Sequence, residues 1–384
     1  MYLSAVMKDS KHVATADDRK WMRKALELAE KGSGYVSPNP MVGCVIVSAD
    51  GRLIGKGWHE KYGQAHAEIN ALKSVKDPSD LLDATVYVNL EPCSHQGKTP
   101  PCAQALANLP ISRVVVAMTD PNPKVDGRGI EFLRQAGKKV DVSVLEDEAR
   151  QLNEAFIYSI RFGKTWVFLK IAQSLDGYIT APDGEPGIFT DIESQKQVHR
   201  WRATYDGVMV GSSTAMHDNP RLTVRLVDGR QPMRIVIDGP SALPEALHLF
   251  SDQYEPKTIK VTYTSSEKGD VLDPILELLR PGGFRGRTLV VGKKDHHCDL
   301  AETIRRLPEF GVHSVMVEGG QALSSALIRE GLVDKIGVFV SPFLLGGGTR
   351  SILGLGIDRL SERLDIRRQE WTTYGKDVLL TGYF

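Results

Sequence analysis

One histidine, one glutamate and two cysteines in the first third of the sequence could form a hydrolytic metal site: His66, Glu68, Cys93 and Cys102. Imidazole nitrogen and thiolate sulfur are preferred ligands of Zn²⁺, and a catalytic zinc keeps its fourth position open for water. A carboxylate two residues from the histidine could take a proton from that water and return it to a leaving amine. The pattern predicts hydrolytic deamination, with His66, Cys93 and Cys102 as metal ligands and Glu68 as the catalytic proton carrier.

Structural zinc sites use the same residue types, so a structural role is the alternative for these ligands. Such a site would need a fourth protein ligand. Cys44, His59 or His95 could supply it only if folding brought that side chain close. Zinc nucleobase deaminases separate their two cysteines by two residues, whereas eight residues lie between Cys93 and Cys102. This insert distinguishes the sequence within that class.

The composition is that of a globular protein with balanced charge. The chain has 384 residues, 41% hydrophobic and 25% charged, a length that suits two domains. Lys+Arg and Asp+Glu both number 48, so no net charge favours nucleic acid or an anionic membrane surface. No apolar run approaches the roughly 20 residues of a membrane span. We therefore expect neither a nucleic-acid partner nor a membrane partner.

The first residues and the cysteines together indicate a cytoplasmic protein. Residues 1–16 mix charged and small residues without an apolar core, which is typical of a flexible leader rather than a signal peptide. The four cysteines are too few for a disulfide framework in so long a chain. Two of them belong to the predicted zinc site. A reducing cytoplasm fits both observations.

Helices and strands alternate around the zinc-ligand motif, which predicts a layered α/β domain over residues 17–162. The predicted helices are 17–31, 66–75, 102–108 and 129–135, and the predicted strands are 42–47, 52–58, 85–90, 113–118 and 140–144. Two of these helices begin at His66 and Cys102. Backbone amides at a helix start favour a thiolate, so this placement supports metal binding.

A second α/β domain is predicted over residues 163–384. Its strands are expected at 166–172, 208–211, 234–238, 259–263, 288–291, 314–317 and 335–340, and its helices at 194–202, 300–307 and 322–330. The first strand is not followed by Gly-x-Gly-x-x-Gly, so the usual dinucleotide-binding fingerprint is missing. Val317-Glu-Gly-Gly320 follows a strand and precedes a helix. It could place amides against a phosphate, or it could be a simple tight turn.

Several short motifs carry a resemblance that the metal ligands alone do not. The run Pro92-Cys-Ser-His-Gln-Gly-Lys-Thr-Pro-Pro-Cys102 is accompanied by Ser37-Pro-Asn-Pro-Met-Val-Gly43, Asp120-Pro-Asn-Pro123, Ser174-Leu-Asp-Gly177 and Val317-Glu-Gly-Gly320. From about residue 17 to its end, the chain resembles the bifunctional riboflavin-biosynthesis deaminase/reductase family. The resemblance implies a cytidine-deaminase-like three-layer α/β/α domain and a dihydrofolate-reductase-like α/β domain, with Zn²⁺ and NADPH as cofactors.

The resemblance also implies two successive reactions on phosphoribosylated pyrimidines. Hydrolytic deamination of 2,5-diamino-6-(5-phosphoribosylamino)pyrimidin-4(3H)-one would precede NADPH-dependent reduction of 5-amino-6-(5-phosphoribosylamino)uracil to the ribitylamino product. The deaminase pocket would be lined by Asn39, His59, Lys98, Asp120 and Asn122. NADPH would contact Ala172, Thr214, Asp218, Gly320, Gln321, Ala322, Leu323 and Ser324, and the reductase substrate would contact Arg202, Leu222, Arg225 and Glu318.

The residues themselves allow simpler roles for some of these positions. Asp120-Pro-Asn-Pro123 has the composition of a plain turn. His59 could be a surface or capping histidine, and Arg202 and Arg225 could be ordinary surface arginines. Pro186 and Ile188 stand where the family often carries Ser and Trp, and neither can reproduce the side-chain hydrogen bonds of those residues.

Two other functions are alternatives to the bifunctional enzyme. A nucleic-acid base deaminase with an accessory domain would need a basic groove with aromatic stacking platforms, which the balanced charge and the 7% aromatic content disfavour. A non-catalytic binding protein stabilised by zinc would keep the metal without deaminating anything. The resemblance further suggests a homodimer or a higher homo-oligomer formed through the reductase domain.

Overall fold

The computed structural model describes residues 14–94, 101–122, 126–184, 187, 189–239, 242–263 and 284–384. Residues 1–13 of the predicted leader, His95, Lys98, Pro186 and Ile188 lie outside the described residues. The chain separates into two compact units between Arg161 and Phe162. Within the described part of the chain, no helix combines the length and the apolar character needed to cross a membrane.

The first unit contains a five-stranded mixed sheet. Its strands are Gly43–Val47 (β1), Leu53–Trp58 (β2), Thr85–Val88 (β3), Arg113–Val116 (β4) and Lys139–Asp141 (β5), and its helices are Ala16–Glu30 (α1), Ala67–Lys73 (α2), Cys102–Ala107 (α3), Arg128–Gln135 (α4), Glu146–Leu152 (α5) and Glu154–Phe162 (α6). The sheet order is β2-β1-β3-β4-β5. Strand β1 pairs antiparallel with β2 and β3, whereas β3, β4 and β5 run parallel. The carboxyl ends of the parallel strands therefore meet at one edge of the sheet.

Side chains of this sheet face two separate hydrophobic clusters. Cys44 and Ile46 of β1 pack with residues of α2, α3 and α4, while Val45 and Val47 pack with residues of α1 and α5. Successive side chains of a strand point to opposite faces, so each strand contributes to both clusters. Helices thus cover both faces, as expected for a three-layer α/β/α domain.

The second unit is built around a nine-stranded sheet. The strands of this unit are Trp166–Ser174 (β6), Tyr178–Thr180 (β7), Gly207–Gly211 (β8), Met233–Ile237 (β9), Thr258–Tyr263 (β10), Arg287–Val291 (β11), Lys293–Lys294 (β12), His297–Cys298 (β13), Ser314–Val317 (β14), Lys335–Ser341 (β15), Thr349–Arg350 (β16), Arg367–Tyr374 (β17) and Asp377–Tyr383 (β18). Four of them form two small separate sheets, β12 with β13 and β7 with β16. Its helices are Ile192–Thr204 (α7), Ser212–Asp218 (α8), His248–Ser251 (α9), Leu300–Arg306 (α10) and Gln321–Arg329 (α11). The main sheet has the order β11-β10-β9-β8-β14-β6-β15-β18-β17.

The strands from β11 to β15 in that order run parallel, and β18 and β17 complete the sheet as antiparallel strands. Phe168 of β6 packs on one face with residues of α7 and α8, while Val167 and Leu169 pack on the other with residues of α10 and α11. The carboxyl ends of β8, β14 and β6 are neighbours, and the chain enters α8 after β8 and α11 after β14. Ligands of open parallel sheets bind at this kind of edge.

Several elements that the sequence did not predict lack a strong apolar pattern, whereas β18 was also not predicted although it buries Leu379. Strand β17 is exposed along nearly its whole length, so its sequence shows no alternation of apolar and polar residues. Helix α8 is short and buries only Ala215. Helices α5 and α6 together bury only Ala149 fully. Apart from β18, each of these elements contributes little apolar surface to a core, which is the signal that periodicity detects.

Candidate active sites

Three ligand atoms of the predicted zinc site converge in the first unit. His66 immediately precedes α2, Cys102 opens α3, and Cys93 follows β3. The ligand atoms of His66, Cys93 and Cys102 all lie within 4.8 Å of one another. The Nδ1 atom of His66 is 3.5 Å from the sulfur of Cys93 and 3.4 Å from the sulfur of Cys102. Tetrahedral zinc separates sulfur and nitrogen ligands by about 3.6 Å, given bonds of about 2.3 Å and about 2.0–2.1 Å. The donor set therefore fits zinc.

The two thiols share a hydrogen bond, which makes their ionisation interdependent. A hydrogen bond from the Cys102 thiol, assisted by His66, lowers the pKa of Cys93 to about 4 against the opposing effect of burial. That same hydrogen bond, together with burial, raises the pKa of Cys102 far above its usual range. Ionisation of one thiol thus suppresses ionisation of the other. A bound zinc ion would remove this conflict, because both cysteines ligate metal as thiolates.

A fourth protein ligand does not join this group among the residues that the structure describes. Both ring nitrogens of His59 are engaged, one with the Ala65 carbonyl at 3.1 Å and the other with the Asn39 side chain at 3.2 Å. Cys44 is buried within β1 and packs in the hydrophobic cluster of that face. A three-ligand site with an open position is the arrangement of catalytic zinc.

Glu68 occupies the first turn of α2, two residues after the metal ligand His66, and its side chain is buried. Burial, followed by the negative charge on Cys93, raises the pKa of Glu68 to about 7, although a hydrogen bond with Cys102 opposes the shift. The same helix start that places His66 therefore places this carboxyl beside the thiols. Its position suits proton transfer to or from a ligand held at the metal.

Asn39 and His59 form one wall beside the metal ligands. The amide of Asn39 contacts the ring of His59 at 3.2 Å, and the rings of His59 and His66 meet edge to face with their centroids 5.6 Å apart. His59 is only 2% exposed, and burial lowers its pKa, which favours the neutral ring. The structure thus brings both residues to the site, and His59 is neither a surface nor a helix-capping residue.

Asp120 and Asn122 lie after β4, at the same edge of the sheet as Cys93. The Asp120 carboxylate accepts a hydrogen bond from the backbone amide of Asn122 at 2.9 Å, which is the geometry of an Asx turn. The backbone amide of Asp120 donates to the carboxylate of Glu91 at 3.0 Å. The turn expected from the composition is present, and it is tied to the segment that carries Cys93.

In the second unit, Glu318 forms ion pairs with two basic side chains, Arg202 and Lys170. Arg202 donates two hydrogen bonds to its carboxylate, at 2.6 and 2.9 Å. The Lys170 ammonium lies 3.8 Å from the same carboxylate, and burial lowers the pKa of Lys170. The two positive charges lower the pKa of Glu318 to about 2 despite its burial. Arg202 and Glu318 were both predicted to hold substrate, whereas Lys170 was not predicted.

A histidine that the sequence did not single out fixes the neighbouring arginine segment. The Nδ1 atom of His199 accepts a hydrogen bond from the backbone amide of Arg225 at 2.9 Å. Burial and the charges of Arg202 and Arg225 lower the pKa of His199 to about 4, so the ring stays neutral and can accept this bond. Arg225 keeps much of its surface exposed. Partial burial of its guanidinium group and the nearby charges of Arg202 and Arg221 lower its pKa. Such a cluster of guanidinium groups attracts an anion.

Most of the predicted cofactor residues lie in or beside the turn between β14 and α11. The Thr214 hydroxyl accepts a hydrogen bond from the backbone amide of Gly320 at 3.1 Å, which joins α8 to this turn. A Cβ on Gly320 would lie 3.1 Å from that hydroxyl oxygen, so the close approach favours glycine. The structure places Ala172 in β6, Asp218 at the end of α8, and Gln321, Ala322, Leu323 and Ser324 in the first turn of α11.

Three predicted contact residues are buried, so their side chains have limited access to a ligand. Leu323 packs in the hydrophobic core of the second unit, and Ser324 is 1% exposed. Leu222 is 2% exposed and has a left-handed φ of 52°. These residues can reach a ligand chiefly through their backbone atoms. A left-handed backbone in a branched residue costs energy, so the surrounding structure must hold Leu222 in place.

Comparison with known proteins identifies both units. The model of the cytidine and deoxycytidylate deaminase zinc-binding region matches residues 15–118, which include His66, Cys93 and Cys102. The RibD C-terminal domain model matches residues 165–380. These matches confirm the predicted fold class and the zinc-binding deaminase domain.

Full-length relatives extend the match to the whole chain. The riboflavin biosynthesis protein RibD of Aquifex aeolicus is 39% identical over 365 residues, covering 94% of this chain and 97% of the relative. A solved structure of Acinetobacter baumannii RibD shares 34% identity with a TM-score of 0.82, covering 96% of this chain and 98% of that one. A Thermotoga maritima deaminase/reductase structure shares 33% identity with a TM-score of 0.82 and the same coverage. The predicted resemblance is confirmed, and the chain belongs to the RibD family of bifunctional riboflavin-biosynthesis enzymes, which combine a deaminase with a reductase.

Proposed function

We propose that the first unit hydrolyses the exocyclic 2-amino group of 2,5-diamino-6-(5-phosphoribosylamino)pyrimidin-4(3H)-one. The observation that carries this proposal is the convergence of His66, Cys93 and Cys102, with the buried carboxyl of Glu68 beside the thiols. The Thermotoga maritima relative is named a diaminohydroxyphosphoribosylaminopyrimidine deaminase, which supports this substrate class. Zinc held by the three ligands would supply a Lewis acid that makes water nucleophilic at neutral pH.

Glu68 carries the proton in this reaction. It accepts a proton from the water whose oxygen bonds to the ring carbon. It then delivers that proton to the amino nitrogen as the C–N bond breaks and ammonia leaves. A pKa of about 7 suits a group that must both accept and donate a proton near neutrality.

The remaining deaminase residues hold the substrate. Asn39 and neutral His59 lie together beside the metal ligands. Asn39, held by its contact with His59, offers a hydrogen bond to the edge of the pyrimidine ring, and the His59 ring lines the pocket beside it. Asp120 and Asn122 lie in the neighbouring turn and are assigned to the substrate as well. Lys98 is assigned to the phosphate on the chemistry of its ammonium group, although it lies outside the described residues.

Replacing Glu68 tests the deaminase mechanism. Glu68→Gln keeps the size of the side chain but removes its ability to carry a proton, so we expect a loss of deamination of about 10²- to 10⁴-fold. Zinc content, measured by atomic emission, should be retained. Glu148→Gln, an exposed carboxylate on α5, is the control. Unchanged deamination in the Glu68 variant would reject the mechanism.

For the second unit, we propose NADPH-dependent reduction of the ribosyl group of 5-amino-6-(5-phosphoribosylamino)uracil to ribityl. NADPH would supply the hydride to the anomeric carbon, and the bond from that carbon to the ring oxygen breaks. The released oxygen then needs a proton. We assign Lys170 to donate it, because burial lowers the pKa of its ammonium group and so makes it a stronger acid.

The charges of the second site support binding of two phosphorylated ligands. Arg202 is already paired with Glu318, which leaves Arg225 for the phosphate of the substrate. The turn at Gly320, braced by Thr214, brings the start of α11 to the same edge of the sheet and suits the pyrophosphate of NADPH. Four further residues are assigned to the cofactor: Gln321 and Ala322, which open α11, Ala172 in β6 and Asp218 at the end of α8.

Cofactor oxidation tests the reductase assignment directly. Purified protein loaded with zinc should oxidise NADPH when the deaminated substrate is added, and oxidation should require that substrate. Absorbance at the nicotinamide band provides the readout. Failure to oxidise NADPH with this substrate would reject the proposal, whatever the deaminase activity of the same sample.

We also propose that the protein forms a homodimer or higher homo-oligomer through the reductase unit. Strand β17 ends the nine-stranded sheet, and Trp371 on it is 63% exposed. An exposed edge strand with a large apolar side chain is a template for pairing with another chain. A cytoplasmic location is proposed as well, supported by the four cysteines, none of which is paired in a disulfide.

A further inference from the structure

Glu91 is a buried charged residue that the proposed deaminase reaction does not use. It follows β3, precedes the metal ligand Cys93 by two residues, and is only 3% exposed. Burying a carboxylate is costly unless hydrogen bonds replace those of water. Its partners therefore indicate what this position contributes to the fold.

Four backbone amides satisfy the carboxylate of Glu91. One oxygen accepts from Asp120 and Gly127, both at 3.0 Å. The other accepts from Gly129 at 2.8 Å and from Ile130 at 3.3 Å. The last two amides belong to the first turn of α4, where an anion is favoured by the unpaired amides and the helix dipole. One side chain thus fixes both the turn after β4 and the start of α4.

These bonds connect the metal site to the proposed substrate residues. Cys93, a candidate metal ligand, follows Glu91 by two residues. The backbone amide of Asp120 donates to the Glu91 carboxylate, and the Asp120 carboxylate accepts a hydrogen bond from the backbone amide of Asn122. The carbonyl of Asn122 in turn accepts a hydrogen bond from the amide of Asp126 at 3.0 Å. The turn that carries Asp120 and Asn122 is therefore held by hydrogen bonds to the segment that carries Cys93.

The surroundings of Gly129 show independently that the start of α4 lies close to the Glu91 segment. A Cβ on Gly129 would lie 2.1 Å from the carbonyl oxygen of Pro92 and 3.2 Å from a carboxylate oxygen of Glu91. Neither approach leaves room for a side chain, because the Pro92 contact is with backbone. The start of α4 is thus packed directly against Glu91 and Pro92.

We propose that Glu91 is a positioning residue, which holds Asp120 and Asn122 at the correct distance from the metal ligands for the substrate to bind. This inference rests on the proposed roles of Asp120 and Asn122 in the deaminase. Glu68 and His66 are placed by α2 instead. Loss of Glu91 should therefore weaken substrate binding more than it slows the chemical step.

Glu91→Gln tests this role because it keeps the length of the side chain. An amide has one acceptor oxygen, and its NH₂ group would face backbone donors, so two of the four bonds are lost. We expect KM for the pyrimidine substrate to rise about tenfold or more, with kcat within about threefold of wild type. Zinc content and the NADPH-dependent reductase activity of the same chain should not change.

Asp18→Asn is the matched control. Asp18 is also buried, and it accepts hydrogen bonds from Tyr87 and from Arg113, the first residue of β4, at the opposite end of that strand from Asp120. It should lower the thermal stability without raising KM. An unchanged KM in Glu91→Gln, a rise shared equally with Asp18→Asn, or loss of zinc from Glu91→Gln would each overturn the positioning role.

Gly129→Ala keeps the inference testable if Glu91→Gln does not fold. The added methyl group would push the start of α4 away from Pro92 while Glu91 keeps its charge. It should raise KM in the same way, and an unchanged KM would overturn the role. Wild-type protein that does not deaminate the phosphoribosylated pyrimidine would overturn the proposed substrate and the role of Glu91 with it, whereas active wild type with unaffected variants would overturn the role of Glu91 alone.

Discussion

The deaminase site gathers ligands that need an added cation, whereas the charges of the reductase site neutralise one another within the protein. In the first unit, Cys93 and Cys102 oppose each other's ionisation. In the second unit, Glu318 is compensated by Arg202 and Lys170. The deaminase site is thus completed by a metal, whereas the charged groups of the reductase site are brought together by folding alone. The two activities should therefore respond independently to metal and to mutation.

Removing the metal should separate the two activities most strongly. After treatment with a chelator and gel filtration, deamination should fall on the order of 10³-fold, since several kcal/mol of catalysis depend on zinc. The reductase activity, assayed with deaminated substrate supplied directly, should stay within about twofold. Adding back Zn²⁺ should restore deamination. A parallel loss of both activities would contradict the independence of the sites.

Lys170→Met should produce the reverse pattern with a smaller effect. Methionine keeps the apolar stem of the side chain and removes the proton donor, so reductase kcat should fall on the order of 100-fold. Deamination should be unchanged. Lys294→Met, which removes an exposed ion pair with Glu330, is the control. Wild-type reduction by the Lys170 variant would remove this residue from the mechanism.

The deaminase site could be predicted from the sequence to a greater extent than the reductase site, and the reason is chemical. Histidine and cysteine are selective metal ligands, so His66, Cys93 and Cys102 indicate a site through their types alone. Arginine and glutamate occur on every surface. The pairing of Arg202 with Glu318 spans 116 positions of the sequence, and only the fold reveals it.

Most strands that bury one or both faces were predicted, with β18 as an exception. The parallel strands of both main sheets, and helices such as α1, α7 and α11, were predicted close to their observed bounds. The partners of Glu91 could not be predicted, because backbone amides carry no sequence signal and lie 29 to 39 positions away. Strand β17 could not be predicted because its side chains are exposed.

His199 offers a finer test of the second site, since only its neutral ring can accept the amide of Arg225. His199→Phe removes that acceptor but retains an aromatic ring, so KM of the reductase substrate should rise about five- to tenfold. Deaminase kinetics should not change. A reductase KM equal to wild type would show that Arg225 does not depend on His199.

The same histidine should make stability depend on pH. Its folded pKa of about 4 lies below the ordinary value of 6.5 because of burial and the charges of Arg202 and Arg225, against the opposing charge of Glu318. The unfolded chain therefore binds the proton more readily, and the stabilising effect present above pH ~6.5 is lost as the pH falls toward 4. The loss should amount to about 2 kcal/mol. Melting curves of wild type and His199→Phe between these pH values should converge at the acid end, and parallel curves would contradict the assignment.

The smallest effect on catalysis is expected from Trp371→Glu. Trp371 lies on the edge strand β17 with 63% of its surface exposed, four strands along the sheet from β14, which Glu318 follows. A charge at this position should weaken association of the sheet edge with another chain, which light scattering coupled to size exclusion would detect as a lower mass. Both activities per chain should stay within about twofold, because the residues assigned to the reductase site, such as Arg202 and Glu318, contact one another within one chain. Loss of reductase activity on dissociation would instead mean that the reductase site is completed by a neighbouring subunit, and the contrast between a metal-completed site and a self-contained one would then no longer hold.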